Sequence, residues 1–343
     1  MFPLFPPDSV DWIMSTTENP PSRAVPEPIP VDLTSVQPGG GICYRIELAW
    51  ARWRRWYLKR FRPAYVARMA ELRRGSADGA PHEVLDPRDL KYCRNQCQCD
   101  WDEADDPFRW RERLPFARWG LAELQLIGWP LLVSTVILAY YWWYLAALTA
   151  VPLVLVVWFF RDPPRRVPQE AGLMVSPADG KIVEITRLER DEFIGGPAVR
   201  IGIFLSIFNV HINRSPAAAR VIRQRYSWGK FLNALNPESA LQNENIWIGL
   251  EEESPPYRRL IVRPIAGAIA RRIVCELRPG EVVERGAKFG MIKLGSRTEL
   301  ILPDTEDLKI EVRVGQRVKA GTSVLAKYDM GTSGQRAEKE TES

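Results

Sequence analysis

The chain has 343 residues, with 47 Lys and Arg against 42 Asp and Glu, for a formal net charge of +5. Hydrophobic residues make up 46% and charged residues 26%, a globular balance that excludes a fully disordered or fibrous chain. Five cysteines over this length exclude a disulfide-dense secreted scaffold, and the mean hydropathy of −0.21 averages over segments of very different character.

Residues 1–40 are rich in proline, from Pro3 to Pro38, and lack apolar periodicity. Such a segment buries too little surface to offset its ordering entropy and reads as a disordered tail. It has no basic stretch followed by an apolar one, so it is not a signal peptide. Residues 41–120 read as a basic, aromatic extension. Within it, residues 45–74 carry a local charge of +8, so the remainder is net −3. Trp50, Trp53, Tyr57 and Phe61 recur at helical spacing, and Arg52, Arg55, Lys59 and Arg62 form a second stripe. Pro63 ends or kinks this helix. Two readings fit: a helix lying on a membrane surface, or one packing its aromatics on the folded domain that follows. Nucleic-acid binding is a third, but no known module pattern accompanies the helix.

Cys93, Cys97 and Cys99 give C-x3-C-x-C, with Cys43 and His82 as further conceivable ligands. Metal sites more often pair C-x2-C motifs. The spacing is therefore read as reduced thiols, with no metal assigned. Cys275 reads as a small core residue.

From Leu124 to Phe160 there are 37 residues without Asp, Glu, Lys or Arg. One transmembrane helix needs about 20 residues, so residues 121–160 read as a membrane hairpin of two short spans. Aromatic residues 140–144 fall at its middle, as at a membrane interface. Arg109, Arg111, Arg113 and Arg118 precede it, and Arg161, Arg165 and Arg166 follow it. Basic flanks on both sides put both ends, and the domain that follows, on the cytoplasmic side of the cell membrane.

Residues 161–330 hold short β-rich runs split by Gly, Pro, Asp and Asn: 181–185, 199–204, 257–262, 299–302, 309–312 and 323–328. No long strand–helix alternation appears, which argues against a doubly wound sheet. The expected class is α+β: a β-rich domain of barrel-sandwich-like character behind a helical hairpin. Residues 331–343 read as a second disordered tail. The segments 279–286 and 314–321 share paired glycines around a valine, as in biotinyl or lipoyl carriers. A membrane-anchored, non-catalytic carrier module is the alternative reading, though no Met-Lys-Met-like hairpin tip is present.

The chain has two histidines. His211 lies in the folded part, at a strand end beside a polar turn, and is the candidate general base. A structural histidine is the plainer alternative. Gly295-Ser296 interrupts two apolar runs. It reads as a hairpin turn, or as a bond whose Gly carbonyl is open to the Ser hydroxyl in an N→O acyl shift.

Taken together, Phe159-Phe-Arg-Asp-Pro163, Ser176-Pro-Ala-Asp-Gly180, Phe208-Asn-Val-His-Ile-Asn-Arg-Ser-Pro216, Gly229-Lys-Phe-Leu-Asn-Ala234, Asn243-Glu244 and Phe289-Gly-Met-Ile-Lys-Leu-Gly-Ser-Arg297 resemble the phosphatidylserine decarboxylases. The match is to the short bacterial and archaeal type, which includes archaetidylserine decarboxylase-like proteins, and covers about residues 120–328. The resemblance implies autocatalytic serinolysis at Gly295-Ser296, with Ser296 becoming a pyruvoyl group. The products would be a β chain, 1–295, and an α chain, 296–343. It maps the self-cleavage triad onto Asp179, His211 and Ser296. His211 would take the Ser296 proton, and Asp179 would orient the imidazole. The pyruvoyl group would then act as electron sink for decarboxylation of phosphatidylserine, or an ether-lipid analogue, to phosphatidylethanolamine and CO2. Arg214 could face the lipid phosphate; a solvated turn arginine is the alternative. Arg297 stands where longer members carry Thr, and Phe208 where they carry a second His. The second difference leaves the reprotonating acid unidentified.

Overall fold

A computed structural model describes residues 23–28, 42–80, 83, 85–90, 97–229, 242–267, 273–293 and 296–329. The tail 331–343, most of the tail 1–40, His82, Cys93 and Gly295 lie outside the described residues.

Helices α1 (Ile42–Phe61) and α2 (Pro63–Leu72) meet at Arg62. Pro63 takes the first position of α2, where its missing N–H costs nothing. Trp50, Trp53, Tyr57 and Phe61 form a ladder of rings with centroids 5.0, 5.7 and 5.2 Å apart. These rings are exposed, and the face that packs inward carries Ala51, Arg54 and Leu58. The aromatics therefore do not pack on the catalytic domain. Arg54 anchors the helix instead, donating to the fully buried carboxylates of Asp86 and Asp89. A short ladder of β1 (Arg74–Ser76) and β2 (Gln98–Asp100) follows. Cys97, Cys99 and Trp101 pack there with Leu90. The Cys97 and Cys99 sulfurs are 3.5 Å apart.

Helices α3 (Leu121–Tyr141) and α4 (Ala147–Phe159) fold back on each other. Thr135 Oγ1 donates to Thr149 Oγ1 at 2.9 Å, and the ends return together where Ala117 N donates to the Phe160 carbonyl at 2.7 Å. The charge-free stretch is thus a helical hairpin, with its turn in the aromatic cluster. The two legs are unequal. Residues Arg118–Tyr141 form a helix of 24 residues, long and apolar enough to cross a membrane and almost wholly unburied. α4 has 13 residues, about 20 Å of helix, short of the ~30 Å hydrocarbon core.

The β-rich domain contains β3 (Leu173–Val175), β4 (Gly180–Asp191), β5 (Gly196–Leu205), β6 (Ile212–Arg214), β7 (Ala219–Ser227), β8 (Asn245–Glu252), β9 (Arg259–Ala266), β10 (Ile273–Cys275), β11 (Val282–Val283), β12 (Lys288–Ile292), β13 (Ser296–Pro303), β14 (Leu308–Ile310), β15 (Arg317–Val318) and β16 (Val324–Tyr328). The main sheet runs β11-β7-β8-β9-β13-β5-β4-β15, and two small sheets run β10-β12-β6 and β14-β16-β3. Neighbouring strands pair antiparallel. The α+β class with a β-rich domain is as expected. Alternate residues such as Ile201, Ile203, Ile248, Leu250, Val262, Leu300 and Leu302 put one sheet face on a common core.

The opposite face is also covered, in part by residues 23–28. Ala24 N donates to both oxygens of buried Glu251, at 2.9 and 3.2 Å, and Glu27 N donates to the Ile222 carbonyl at 2.8 Å. This stretch departs from the tail reading, because a buried carboxylate and a strand edge satisfy its backbone. Nearby, Arg297 bonds Glu184 and lies 2.9 Å from Glu299 Oε1, while Arg263 Nε donates to Glu299 Oε2 at 3.0 Å. Arg200 Nη2 donates to Glu184 Oε1 at 2.7 Å. Burial alone would raise the Glu184 carboxyl, but its bonds from Arg297, Thr186 and Arg200 hold it down to about 2. Its contribution to stability is therefore present above the ordinary carboxyl range and fades as pH falls toward about 2. Glu299→Ala leaves the buried Arg297 and the half-buried Arg263 guanidinium groups short of a counter-charge. It is expected to cost about 3–5 kcal/mol in denaturant unfolding of the detergent-solubilised chain.

Candidate active site

The site is built on one end of the main sheet. Ser296 opens β13, pairing with Leu205 of β5 on one side and Ala266 of β9 on the other. Directly opposed residues share a face, so the Ser296 side chain points with Leu205 and Ala266 into the core. Ala266 N donates to the Glu244 carbonyl at 2.8 Å, which carries the row on to the start of β8. On the other flank, β4 begins at Gly180, whose neighbour Lys181 pairs with Phe204. A Cβ on Gly180 would lie 2.2 Å from the Phe204 carbonyl oxygen. Only glycine permits this approach, and it brings Asp179 to the end of β5.

Ser296 is fully buried, and its Oγ has no hydrogen-bond partner among the described residues. A buried hydroxyl left unpaired costs about 1–3 kcal/mol, so this one is not there for stability. His211 is fully buried between β5 and β6, with its ring centroid 4.6 Å from that of Phe159. Its Nδ1 lies 2.9 Å from the Asn209 carbonyl oxygen. With Nδ1–H donating there, the neutral ring carries its lone pair on Nε2. Burial pushes His211 down to about 4, the Asn209 bond opposes this, and the charge of Arg161 adds to it. The imidazole is therefore neutral at physiological pH and able to accept a proton.

Asp179 is buried at the same end. Its Oδ2 accepts from Arg165 at 2.7 Å and its Oδ1 from Ala320 N at 2.7 Å. The imidazole is held in part by the Asn209 carbonyl, and Arg161 is a charge neighbour of both Asp179 and His211. Further bonds tie these segments together. Ile292 N donates to the His211 carbonyl at 3.0 Å, Arg214 N to the Pro177 carbonyl at 2.9 Å, and Asn213 Nδ2 to Thr298 Oγ1 at 3.1 Å. Lys293 pairs with Glu123 at the start of α3.

Arg214 is mostly buried rather than solvated. Its guanidinium donates to the Gly286 carbonyl at 2.9 Å and to Asp162 at 3.3 Å. It ties β6 to the chain leaving α4. Gly295 lies outside the described residues.

Two groups had no role assigned from sequence. Glu244, inside the quoted Asn243-Glu244 motif, is buried, and its Oε1 has no hydrogen-bond partner among the described residues. Burial pushes it up to about 7, with the Tyr226 hydroxyl beside it acting in the other direction. The signal available in sequence was an acid between two asparagines at the head of an apolar run. Arg161 and Arg165 were read only as membrane flanks; they also furnish the cations around Asp179 and His211.

A family model described as phosphatidylserine decarboxylase matches residues 153–326. A phosphatidylserine decarboxylase proenzyme from Rhodopirellula baltica is 54% identical over 242 residues, which is 71% of this chain and 100% of that protein. Proteins of the same name from Symbiobacterium thermophilum and Nitrosomonas eutropha are 42% and 40% identical, over 58% and 59% of this chain and 93% of each relative.

Proposed function

The chain belongs to the phosphatidylserine decarboxylase family, and on that premise we propose that it is a proenzyme that cuts itself between Gly295 and Ser296 and then converts phosphatidylserine to phosphatidylethanolamine and CO2. The observation that carries this reading is the fully buried Ser296 hydroxyl at the head of a central strand, without a hydrogen-bond partner among the described residues.

In the cut, His211 takes the hydroxyl proton and Ser296 Oγ adds to the Gly295 carbonyl. The Gly295–Ser296 amide becomes an ester, and elimination across the Ser296 Cα–Cβ bond frees the Gly295 carboxylate. The negative charge of Asp179 offsets Arg161 and favours the imidazolium that forms. Residue 296 remains held by β5 and β9, so the new chain end stays in place. Ser296 fits conversion to a pyruvoyl group because its buried Oγ has no hydrogen-bond partner among the described residues. That group supplies an electron sink for the pair released with CO2.

Glu244 lies on the same row as Ser296 and is protonated about half the time near pH 7. This suits a donor for the carbon that loses CO2. Glu244→Gln is expected to leave self-cleavage intact and to lower kcat by about 10²–10⁴-fold. An unchanged kcat would remove Glu244 from the reaction.

The apolar hairpin, with basic residues on both flanks, anchors the domain at the cytoplasmic surface of the membrane that holds its substrate. The exposed rings of α1, flanked by exposed Arg52, Lys59 and Arg60, suit a second contact with that surface. Intact-mass analysis of the purified protein, with turnover of phosphatidylserine, tests the reading. Two chains split before Ser296 and release of CO2 are expected. One uncut chain without turnover would overturn it.

A further inference from the structure

The turn between β5 and β6 has an apolar tip that the fold leaves uncovered. Ile207 and Phe208 are 43% and 59% exposed, yet Val210, His211 and Ile212 immediately after them are buried. The turn is closed on itself: Ser206 N and Oγ donate to Asn209 Oδ1 at 2.9 and 2.7 Å, and Asn209 N donates to the Ser206 carbonyl at 2.9 Å. The two apolar side chains are thus held outward by a fixed backbone.

This tip is fastened to the foot of the hairpin. Trp158 Nε1 and Arg161 Nη2 both donate to the Phe208 carbonyl, at 3.2 and 2.9 Å. Arg161 Nη1 donates to the Trp158 carbonyl at 2.6 Å, and its guanidinium lies 4.1 Å above the Trp158 ring. Above this foot, Leu148, Val151, Val154 and Leu155 of α4 are exposed. A tryptophan and an arginine at the end of an apolar helix mark the level where a helix meets headgroups. The tip shares that level because it is bonded to both residues. On the inner side, the Phe159 ring lies 4.6 Å from the His211 ring at a tilt of 38°, so the same piece leads straight to the site.

From this continuity we propose that the Ile207–Phe208 tip is a wedge that enters the leaflet beside the foot of α4, so that a lipid headgroup leaves the bilayer next to His211. The occupant is a bilayer leaflet carrying serine-headgroup lipid, and the proposal rests on the decarboxylase reading above. The wedge serves capture from a surface; it takes no part in bond-making.

The test compares two substrates on the full, self-cleaved chain in lipid nanodiscs or mild detergent. One is phosphatidylserine at varied mole fraction in a bilayer. The other is short-chain dihexanoyl phosphatidylserine kept monomeric. The double variant Ile207→Asp, Phe208→Asp is expected to raise the bilayer KM about tenfold, the cost of withdrawing roughly one large apolar side chain. Its kinetics on the monomeric substrate should stay within about twofold. Phe208→Trp should keep the bilayer KM, and normal self-cleavage should report an intact fold in each variant. Should the double variant fail to cleave, Phe208→Ser alone carries the same comparison. Equal losses on both substrates, or no change on either, would overturn the wedge. No turnover of either substrate by the unsubstituted enzyme would overturn the decarboxylase reading, and the wedge with it.

Discussion

Ser296→Ala is expected to leave one uncut chain of 343 residues and no detectable decarboxylation, the largest effect any single substitution here should have. The usual objection, that the variant has simply misfolded, can be met beforehand. Ser296 is fully buried among Leu205, Ala266 and the core, and its hydroxyl bonds nothing among the described residues. Alanine keeps the Cβ and removes only an unpaired polar atom. Removing such an atom is neutral, or stabilising by about 1–3 kcal/mol. The precursor should therefore unfold at the same temperature as an uncut sample of the natural chain, or a few degrees higher. Loss of cutting with unchanged or raised thermal stability assigns the hydroxyl to chemistry. A variant that still yields an α chain beginning at residue 296 would refute the assignment outright.

Much of this arrangement was legible because its determinants are local. The charge-free run and its central aromatics located the hairpin and its turn. Pro63 marked the helix boundary. What stayed hidden depends on partners distant in sequence. β7 and β8 were not singled out, since Arg220, Arg223, Arg225, Glu251 and Glu252 break the apolar alternation. In the fold Arg220 is paired with Glu251, 31 residues away, and Glu251 also seats residues 23–28. β13 was read only from Glu299 on, because Arg297 resembles a solvent-facing residue, as Glu299 itself does. They are buried and bonded to Glu184 and Arg263 from neighbouring strands. The partner of Asp179 was equally opaque: Arg165 comes from an irregular stretch with no period to read. Length alone gave the total span of the hairpin but not how unequally it divides.

His211→Asn should slow self-cleavage by about 10²–10⁴-fold, the usual worth of a positioned base, and the pH dependence should say why. Because burial chiefly holds the ring at about 4, the natural chain should cut at a constant rate from about pH 5 to 8. Below about 4 the rate should fall as the imidazole takes a proton. A half-point near 6.5, the ordinary value, would mean a solvated ring and would contradict the buried neutral base. The same shift carries a stability consequence of definite sign. Above 6.5 the ring is neutral folded and unfolded, and contributes no slope. Between 6.5 and about 4 the unfolded chain binds a proton that the folded chain refuses, so stability falls as pH falls. Across that window the loss is about 3 kcal/mol. Denaturant unfolding of the Ser296→Ala precursor at pH 7 and at pH 4.5 should reveal it, and adding His211→Asn should remove that part of the difference. The rate and the stability then report one protonation from two directions. If the slope survives the substitution, the proton belongs to another group, and the role of His211 as base would have to rest on the cutting rate alone.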